Sequence, residues 1–320
     1  MLEDLRNSGI HDIAIILGDG LSEKVKDHYG DGNQFSVNIT YIYQPKPEGI
    51  AHAVSLTENF TKDSPFVVYL GDNLLKGGIT KFVKEFQQQN YDAMILLCKV
   101  ENPQQFGVAE FAQNGKLIRL IEKPKEPPSN YALTGIYFLT PTIFKMIKKL
   151  KPSWRGELEI TEALQLLIDN GYNVGYEKVE DWWKDTGTVE DILEANRLIL
   201  DDVESRIDGT VQDKNCIQGR VIIEEGTIIK GGALIRGPVA IGKNTTIEDH
   251  VYIGPYTSIG SNVTMKKGEI ENSIIMDNCF IEIDEKITDS LIGSNTEIIT
   301  NKKGPKGHKL IVGEGSKIVL

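Results

Sequence analysis

The 320-residue sequence is long enough for two domains with substantial cores, and its 40% hydrophobic and 25% charged content is that of a globular chain. A formal net charge of −11 excludes the broad basic face that a nucleic-acid polymer needs, although a single nucleotide requires only a few local cations and backbone amides. No apolar run approaches the roughly 20 residues of a membrane span, and the acidic start Met1-Leu2-Glu3-Asp4-Leu5 lacks the regions of a signal peptide.

Cys98, Cys216 and Cys279 form no CxxC pair and no metal spacing, so they read as buried thiols of a reducing, cytoplasmic compartment. In chain order, residues 12–17 (DIAIIL) and 37–43 (VNITYIY) read as strands, rich in β-branched and aromatic side chains. Residues 51–60 read as a helix, 66–70 (FVVYL) as a buried strand, 79–90 as a helix and 93–100 (AMILLCKV) as another apolar strand. Residues 108–111 and 117–121 flank Gln113-Asn114-Gly115, a hairpin signal. A strand follows over 131–139, then helices over 141–150, 157–170 and 189–200. The alternation predicts an α/β domain over residues 1–205 with a mostly parallel sheet covered by helices on both faces.

From residue 206 to 320 a six-residue period takes over. Ile223, Ile229, Ile235, Ile241, Ile247, Ile253, Ile259 and Met265 form one column. Val221, Thr227, Ala233, Val239, Thr245, Val251, Thr257 and Val263 form a second column, two residues earlier. Three hexads make one triangular coil with the aliphatic side chains inward, the signature of a left-handed parallel β-helix. The period loosens through Ile275, Ile281 and Ile287, then resumes with Ile292 and Ile298 after a register slip. Gly242, Gly254 and Gly260 follow the aliphatic position, where a turn would need glycine. His250 is the only histidine in the regular coils and reads as a solvated face residue rather than the base of an acyltransferase.

In open α/β sheets ligands lie beyond the carboxyl ends of strands, and the polar clusters fall there. Asp72, after Gly71 at a strand end, suits a magnesium ligand, with Asp185 as the second carboxylate. A turn or N-cap aspartate is the alternative for either. The stiff turn 44–53 (QPKPEGIAHA) offers Gln44 to a pyrimidine edge and Gly49 for close approach to the backbone; His52 is assigned a structural role. Glu122-Lys123 pairs a carboxylate for sugar hydroxyls with an ammonium for a phosphate, and Arg155 adds a guanidinium at a helix start. A surface pair and a capping segment are the alternatives.

Six segments in order, QPKPEGIAHAV (44–54), YLGDN (69–73), FGVAEF (106–111), EKPKEPPSNYALTGIYFL (122–139), RGELEITEAL (155–164) and WWKDTG (182–187), resemble the glucose-1-phosphate thymidylyltransferase family in its long form with a C-terminal β-helix. The resemblance implies a Rossmann-like nucleotidyltransferase sheet in which Asp72 and Asp185 hold Mg²⁺. It also implies that Gln44, Pro47 and Gly49 surround the base, and that Gly107, Glu122, Lys123, Gly135, Tyr137 and Arg155 frame the sugar phosphate. The implied reaction is attack of glucose-1-phosphate on the α-phosphorus of dTTP, giving dTDP-glucose and pyrophosphate without a covalent intermediate. UTP or another sugar-1-phosphate is the first alternative, a non-catalytic regulatory or assembly subunit the second.

The family opens with a strand and a glycine-rich G-G-x-G-T-R-L loop that grips the triphosphate, and these 320 residues contain no such segment. The expectation is an N-terminally truncated or mis-started reading, poorly active as given, with two unpaired strand edges where a central strand belongs. Coil faces of this kind commonly pack together, so a homo-oligomer is expected.

Overall fold

A computed structural model describes residues 1–18, 20, 22–300 and 317–318. It separates into two compact units, Met1–Thr186 and Gly187–Leu320. No described helix is long and apolar enough to cross a membrane. All three cysteines are buried free thiols.

The first unit runs α1 (Leu2–Asn7), β1 (Asp12–Leu17), α2 (Ser22–Tyr29), β2 (Asn38–Tyr43), α3 (Ile50–Ser55), α4 (Glu58–Thr61), β3 (Phe66–Tyr69), β4 (Asn73–Leu75), α5 (Thr80–Gln88) and β5 (Ala93–Lys99). It continues with β6 (Gly107–Phe111), β7 (Leu117–Glu122), β8 (Tyr131–Leu139), α6 (Thr142–Ile147), α7 (Ile160–Asp169), β9 (Val174–Lys178) and β10 (Trp183–Asp185). The helix expected over 51–60 breaks in two because the Thr57 hydroxyl turns back to donate to the Val54 carbonyl, at 2.7 Å.

The main sheet has the order β7-β6-β8-β5-β9, with β3 also on β8. It corrects the mostly parallel expectation. β5 and β9 run parallel, but β8 is antiparallel to β3, β5 and β6. The cause is the tight β6–β7 hairpin, with Gly115 in the left-handed region at φ 82°, after which β8 returns between β5 and β6. β5 reads as an unbroken apolar run because both its faces are covered. Ile95 and Leu97 pack among the side chains of α6 and α7, while Met94 and Leu96 pack on the other face with Phe82 and Phe86 of α5.

β1 and β2 form a separate parallel pair whose Ile13 and Val37 join that second core cluster, as does the half-buried Val67 of β3. Among the described residues β1 pairs with β2 alone and β3 with β8 alone, so each presents one edge with no ladder partner.

The second unit begins earlier than residue 206. α8 (Val189–Asp201) belongs to it, opened by a reciprocal cap between Thr188 and Asp191. Its polar side chains bond to the coils: Asn196 donates to the Tyr256 carbonyl (2.9 Å) and accepts from Ser258 (2.6 Å), and Arg197 donates to Asn272 (2.6 Å). A boundary drawn where the repeat starts assigns this helix to the catalytic domain; its hydrogen bonds assign it to the coils.

The coils are a parallel β-helix whose central positions pair eighteen residues on, as in Val221↔Val239↔Thr257 and Ile229↔Ile247↔Met265. Every member of both six-residue columns is buried. The slip expected between Ile287 and Ile292 shows in the shortened pairings Ile275↔Ile292 and Ile281↔Ile298, and an earlier one, with β-bulges between Met265 and Glu269, shows in Ser258↔Ile274. Residues 301–316 and 319–320 of the expected β-helix domain lie outside the described residues.

Two devices stitch the coils. Inside, Thr245 donates to the Gly260 carbonyl (2.8 Å) and accepts from the Val263 amide (3.1 Å), and Thr227 bonds in the same way on the preceding coil. At one corner the left-handed residues are Gly226, Asn244, Asn262, Asn278 and Asn295, and the last three asparagines form a side-chain ladder at 3.3 Å per step. Gly242, Gly254 and Gly260 are therefore not the left-handed positions. Gly242 is small for another reason: a Cβ there would lie 2.7 Å from the Gly260 carbonyl carbon of the next coil.

Thr245→Val would leave the Gly260 carbonyl and the buried Val263 amide unpaired at constant volume. It is expected to cost about 1–3 kcal/mol in denaturant unfolding, whereas Ser258→Ala, further out on the coil, should cost less.

Candidate active site

The short ladder β4–β10 builds the centre. The chain leaves β3 through Leu70-Gly71-Asp72, and β4 then runs antiparallel to β10 with Asn73 opposite Asp185. Thr186 donates from its amide (2.8 Å) and its hydroxyl (2.7 Å) to the main-chain carbonyl of Asp72. Asp72 and Asp185, remote in sequence, are thereby held one register step apart. Two hard carboxylates on a fixed ladder suit Mg²⁺, which takes one or two such ligands and fills the rest of its shell with water and phosphate. Among the described residues no cluster of three or more His, Cys, Asp or Glu could hold a metal, so any ion here depends on those other ligands.

A second group surrounds Glu122. Gly107 lies opposite it on β6, and the Thr161 hydroxyl donates to Glu122 Oε2 at 2.6 Å. A Cβ at Gly107 would sit 2.7 Å from that hydroxyl, so only glycine leaves room for the bond. The next residue, Lys123, adopts φ 41°, a left-handed conformation disfavoured for a long side chain, and its amide is tied to the Phe106 carbonyl at 3.0 Å.

Arg155 faces three carboxylates, Glu122 (3.6 Å), Glu157 (2.8 Å) and Glu159 (3.5 Å). A phosphate arriving at Arg155 competes with all three. Burial pushes the Glu122 carboxyl above its usual range; the Thr161 hydrogen bond and the Lys123 and Arg155 charges oppose the shift without cancelling it, and Glu159 adds to it.

Tyr137 joins the two groups. Its buried ring hydroxyl is held protonated far above the usual tyrosine range, first by burial and then by the charges of Glu122 and Asp72. Gly135, two residues before it on β8, has no space for a side chain: a Cβ would lie 2.7 Å from Asn73 Nδ2.

Gln44, Pro47 and Gly49 form a third segment. Gly49 has φ 101°, and a Cβ there would meet the Leu158 carbonyl at 2.5 Å, so glycine is required twice over. The segment is zipped to the Arg155 loop by Leu158 N to Glu48 O (2.8 Å) and Ala51 N to Leu158 O (3.1 Å). Gln44 Nε2 approaches the Gly49 carbonyl (3.3 Å) and His52 Nδ1 (3.0 Å), while Pro47 stands exposed in the turn.

Sequence reasoning missed His52 as the partner of Gln44, along with Thr161, Glu159 and Asn73. Thr161 and Asn73 lie inside the six family-like segments, but their spacing alone assigns them no partner.

Residues 1–202 match the nucleotidyl transferase family. The chain belongs to that family. Residues 235–318 match the GMPPB C-terminal domain. Over the whole chain it is 45% identical to the low-salt glycan biosynthesis nucleotidyltransferase Agl11 of Haloferax volcanii, spanning 90% of that protein. It is 43% identical, again over the whole chain, to a glucose-1-phosphate thymidylyltransferase of Streptomyces antibioticus, spanning 89% of it. A candidate glucose-1-phosphate thymidylyltransferase of Bacillus anthracis, solved in complex with sucrose, superposes with a TM-score of 0.59 at 41% identity, over 64% of this chain and 82% of that one. These relatives carry the same family resemblance as the six sequence segments.

The raised Glu122 carboxyl gives a signed pH dependence. Folded Glu122 binds its proton more tightly than the unfolded side chain, whose value is about 4.3. Stability therefore falls as pH rises from there through the folded value, and is level above it. Glu122→Gln removes the effect, so the melting temperature of the variant relative to wild type should climb over that interval and then stay constant. A difference that fell with rising pH would refute the assignment.

Proposed function

We propose that the chain transfers a nucleotidyl group from a nucleoside triphosphate to a sugar-1-phosphate, with dTTP and glucose-1-phosphate as its pair. The reading is supported by Asp72 and Asp185 lying one register step apart and by the Glu122–Arg155 ion pair, in a chain of this family. The names of the Streptomyces and Bacillus relatives support the choice of nucleotide and sugar.

A phosphate oxygen of the sugar-1-phosphate attacks the α-phosphorus of the triphosphate. The bond to the bridging oxygen breaks, and pyrophosphate leaves with the electron pair. Because such reactions need little covalent help, the side chains act by position and charge. Lys123, fixed by its unusual backbone, meets the attacking phosphate, and Arg155 exchanges one of its carboxylate partners for it. Glu122 and the Gly135 carbonyl region face the sugar. Asp72 and Asp185 would hold a divalent cation, which would offset the repulsion between the facing phosphates.

Gln44 selects the base. With Nε2 donating to the Gly49 carbonyl, and to His52 in the tautomer whose Nδ1 carries no proton, its carbonyl oxygen is the group left for the ligand. An acceptor there matches the N3–H of thymine or uracil and opposes cytosine, whose N3 carries a lone pair.

Pyrophosphate release with glucose-1-phosphate and Mg²⁺ should follow dTTP > UTP ≫ CTP in kcat/KM, with the thymine methyl contributing about tenfold. Calorimetric binding of dTDP-glucose against CDP-glucose reads the same preference independently of turnover. Equal use of CTP, or equal binding of CDP-glucose, would overturn the base assignment. Magnesium-dependent turnover unchanged by Asp72→Asn would overturn the metal assignment.

A further inference from the structure

The tightest polar knot of the first unit is centred on Asn73, to which the reaction scheme gives no role. Its side chain is buried, with only 3% of the residue exposed. The carbonyl oxygen Oδ1 accepts from the Gly135 amide (3.0 Å) and from the Trp183 indole Nε1 (2.6 Å), which fills both lone pairs. The amide nitrogen Nδ2 is thereby turned to Asp72, donating to Oδ1 of its carboxylate at 2.7 Å. Two N–H donors on one oxygen fix which end of the amide is which, so the orientation follows from the network.

Each partner sits on a different strand of the candidate site. Gly135 is on β8, Trp183 is on β10 two residues before Asp185, and Asn73 itself opposes Asp185. Trp183 is braced in turn by the edge of Phe106, with ring centroids 5.5 Å apart. Thr186 fixes the main chain of Asp72, and Asn73 donates to its carboxylate.

We propose that Asn73 is the positioning residue for Asp72: its side-chain amide, locked by Gly135 and Trp183, holds the Asp72 carboxylate in the rotamer that receives the divalent cation. The proposal rests on the reading of Asp72 as a metal ligand. It assigns Asn73 an action through Asp72 and no contact with the reacting atoms. Aspartate at position 73 could still accept from Gly135 and Trp183 but could not donate to Asp72, and leucine would leave two buried N–H groups unpaired.

The test is Mn²⁺ titration of the full chain, followed by the electron paramagnetic resonance signal of the free ion, with melting temperatures recorded in parallel. Asp72→Asn should weaken Mn²⁺ binding at least tenfold. Asn73→Ser should weaken it about tenfold or more, the range seen when the outer partners of a ligand are removed. In the Asp72→Asn background the same serine substitution should add nothing, because its effect passes through that carboxylate.

Trp183→Phe removes one of the two locks and leaves the Gly135 bond in place, so it should lower the melting temperature and weaken Mn²⁺ binding by clearly less than Asn73→Ser. Asn73→Thr, whose hydroxyl can still accept one of the two donors, replaces the serine variant if that fails to fold and is held to the same outcome. Mn²⁺ binding absent from wild type, or unmoved by Asp72→Asn, overturns the metal reading and this proposal with it. Binding that falls with Asp72→Asn but not at position 73, or falls equally with Trp183→Phe, overturns the positioning role alone.

Discussion

Thr186 gives both its amide and its hydroxyl to a single oxygen, the main-chain carbonyl of Asp72. That pair of hydrogen bonds closes a loop of more than a hundred residues, with 114 positions separating donor from acceptor. Without it the three-residue strands β4 and β10 have little to hold them together, since so short a ladder has no independent stability. With it, Asp185 faces Asn73, Trp183 reaches the same asparagine, and two carboxylates that the sequence keeps far apart become neighbours. Burial, with the charges of Glu122 and Asp72, holds the Tyr137 hydroxyl protonated.

This dependence explains which features could be read from the sequence. The β-helix was legible because its core-forming positions recur locally: each buried aliphatic residue announces itself six residues on, and the columns at 221–265 are all interior. The strand over 131–139 was legible because it is a long apolar run buried on both faces. β4 and β10 were not, because three residues carry no period. The antiparallel setting of β8 was likewise hidden, since an apolar run has no direction. The spacing of Glu157 and Glu159 was in plain view, but nothing in it tells that both turn to Arg155 along with Glu122.

Glycine shows a similar division. In the coils, the residues following the aliphatic column looked like turn glycines, yet the left-handed corner is taken by Asn244, Asn262, Asn278 and Asn295. Asparagine tolerates that conformation and adds a ladder that glycine could not. In the first unit, Gly107 and Gly135 are glycines because of what passes beside them, the Thr161–Glu122 bond and the Asn73 amide. A sequence shows that a residue is small; only the fold shows which neighbour demands it.

The open sides of β1 and β3 have a consequence for the behaviour of the polypeptide in solution. Each is a row of backbone donors and acceptors lying against the same apolar cluster that holds Ile13 and Val67. Strand borders of this sort recruit other chains unless charge, proline or a covering element blunts them. Neither DIAIIL nor FVVY carries a proline or an internal charge, apart from the leading Asp12. Among the described residues, nothing on these two strands blunts the tendency of such borders to extend a sheet.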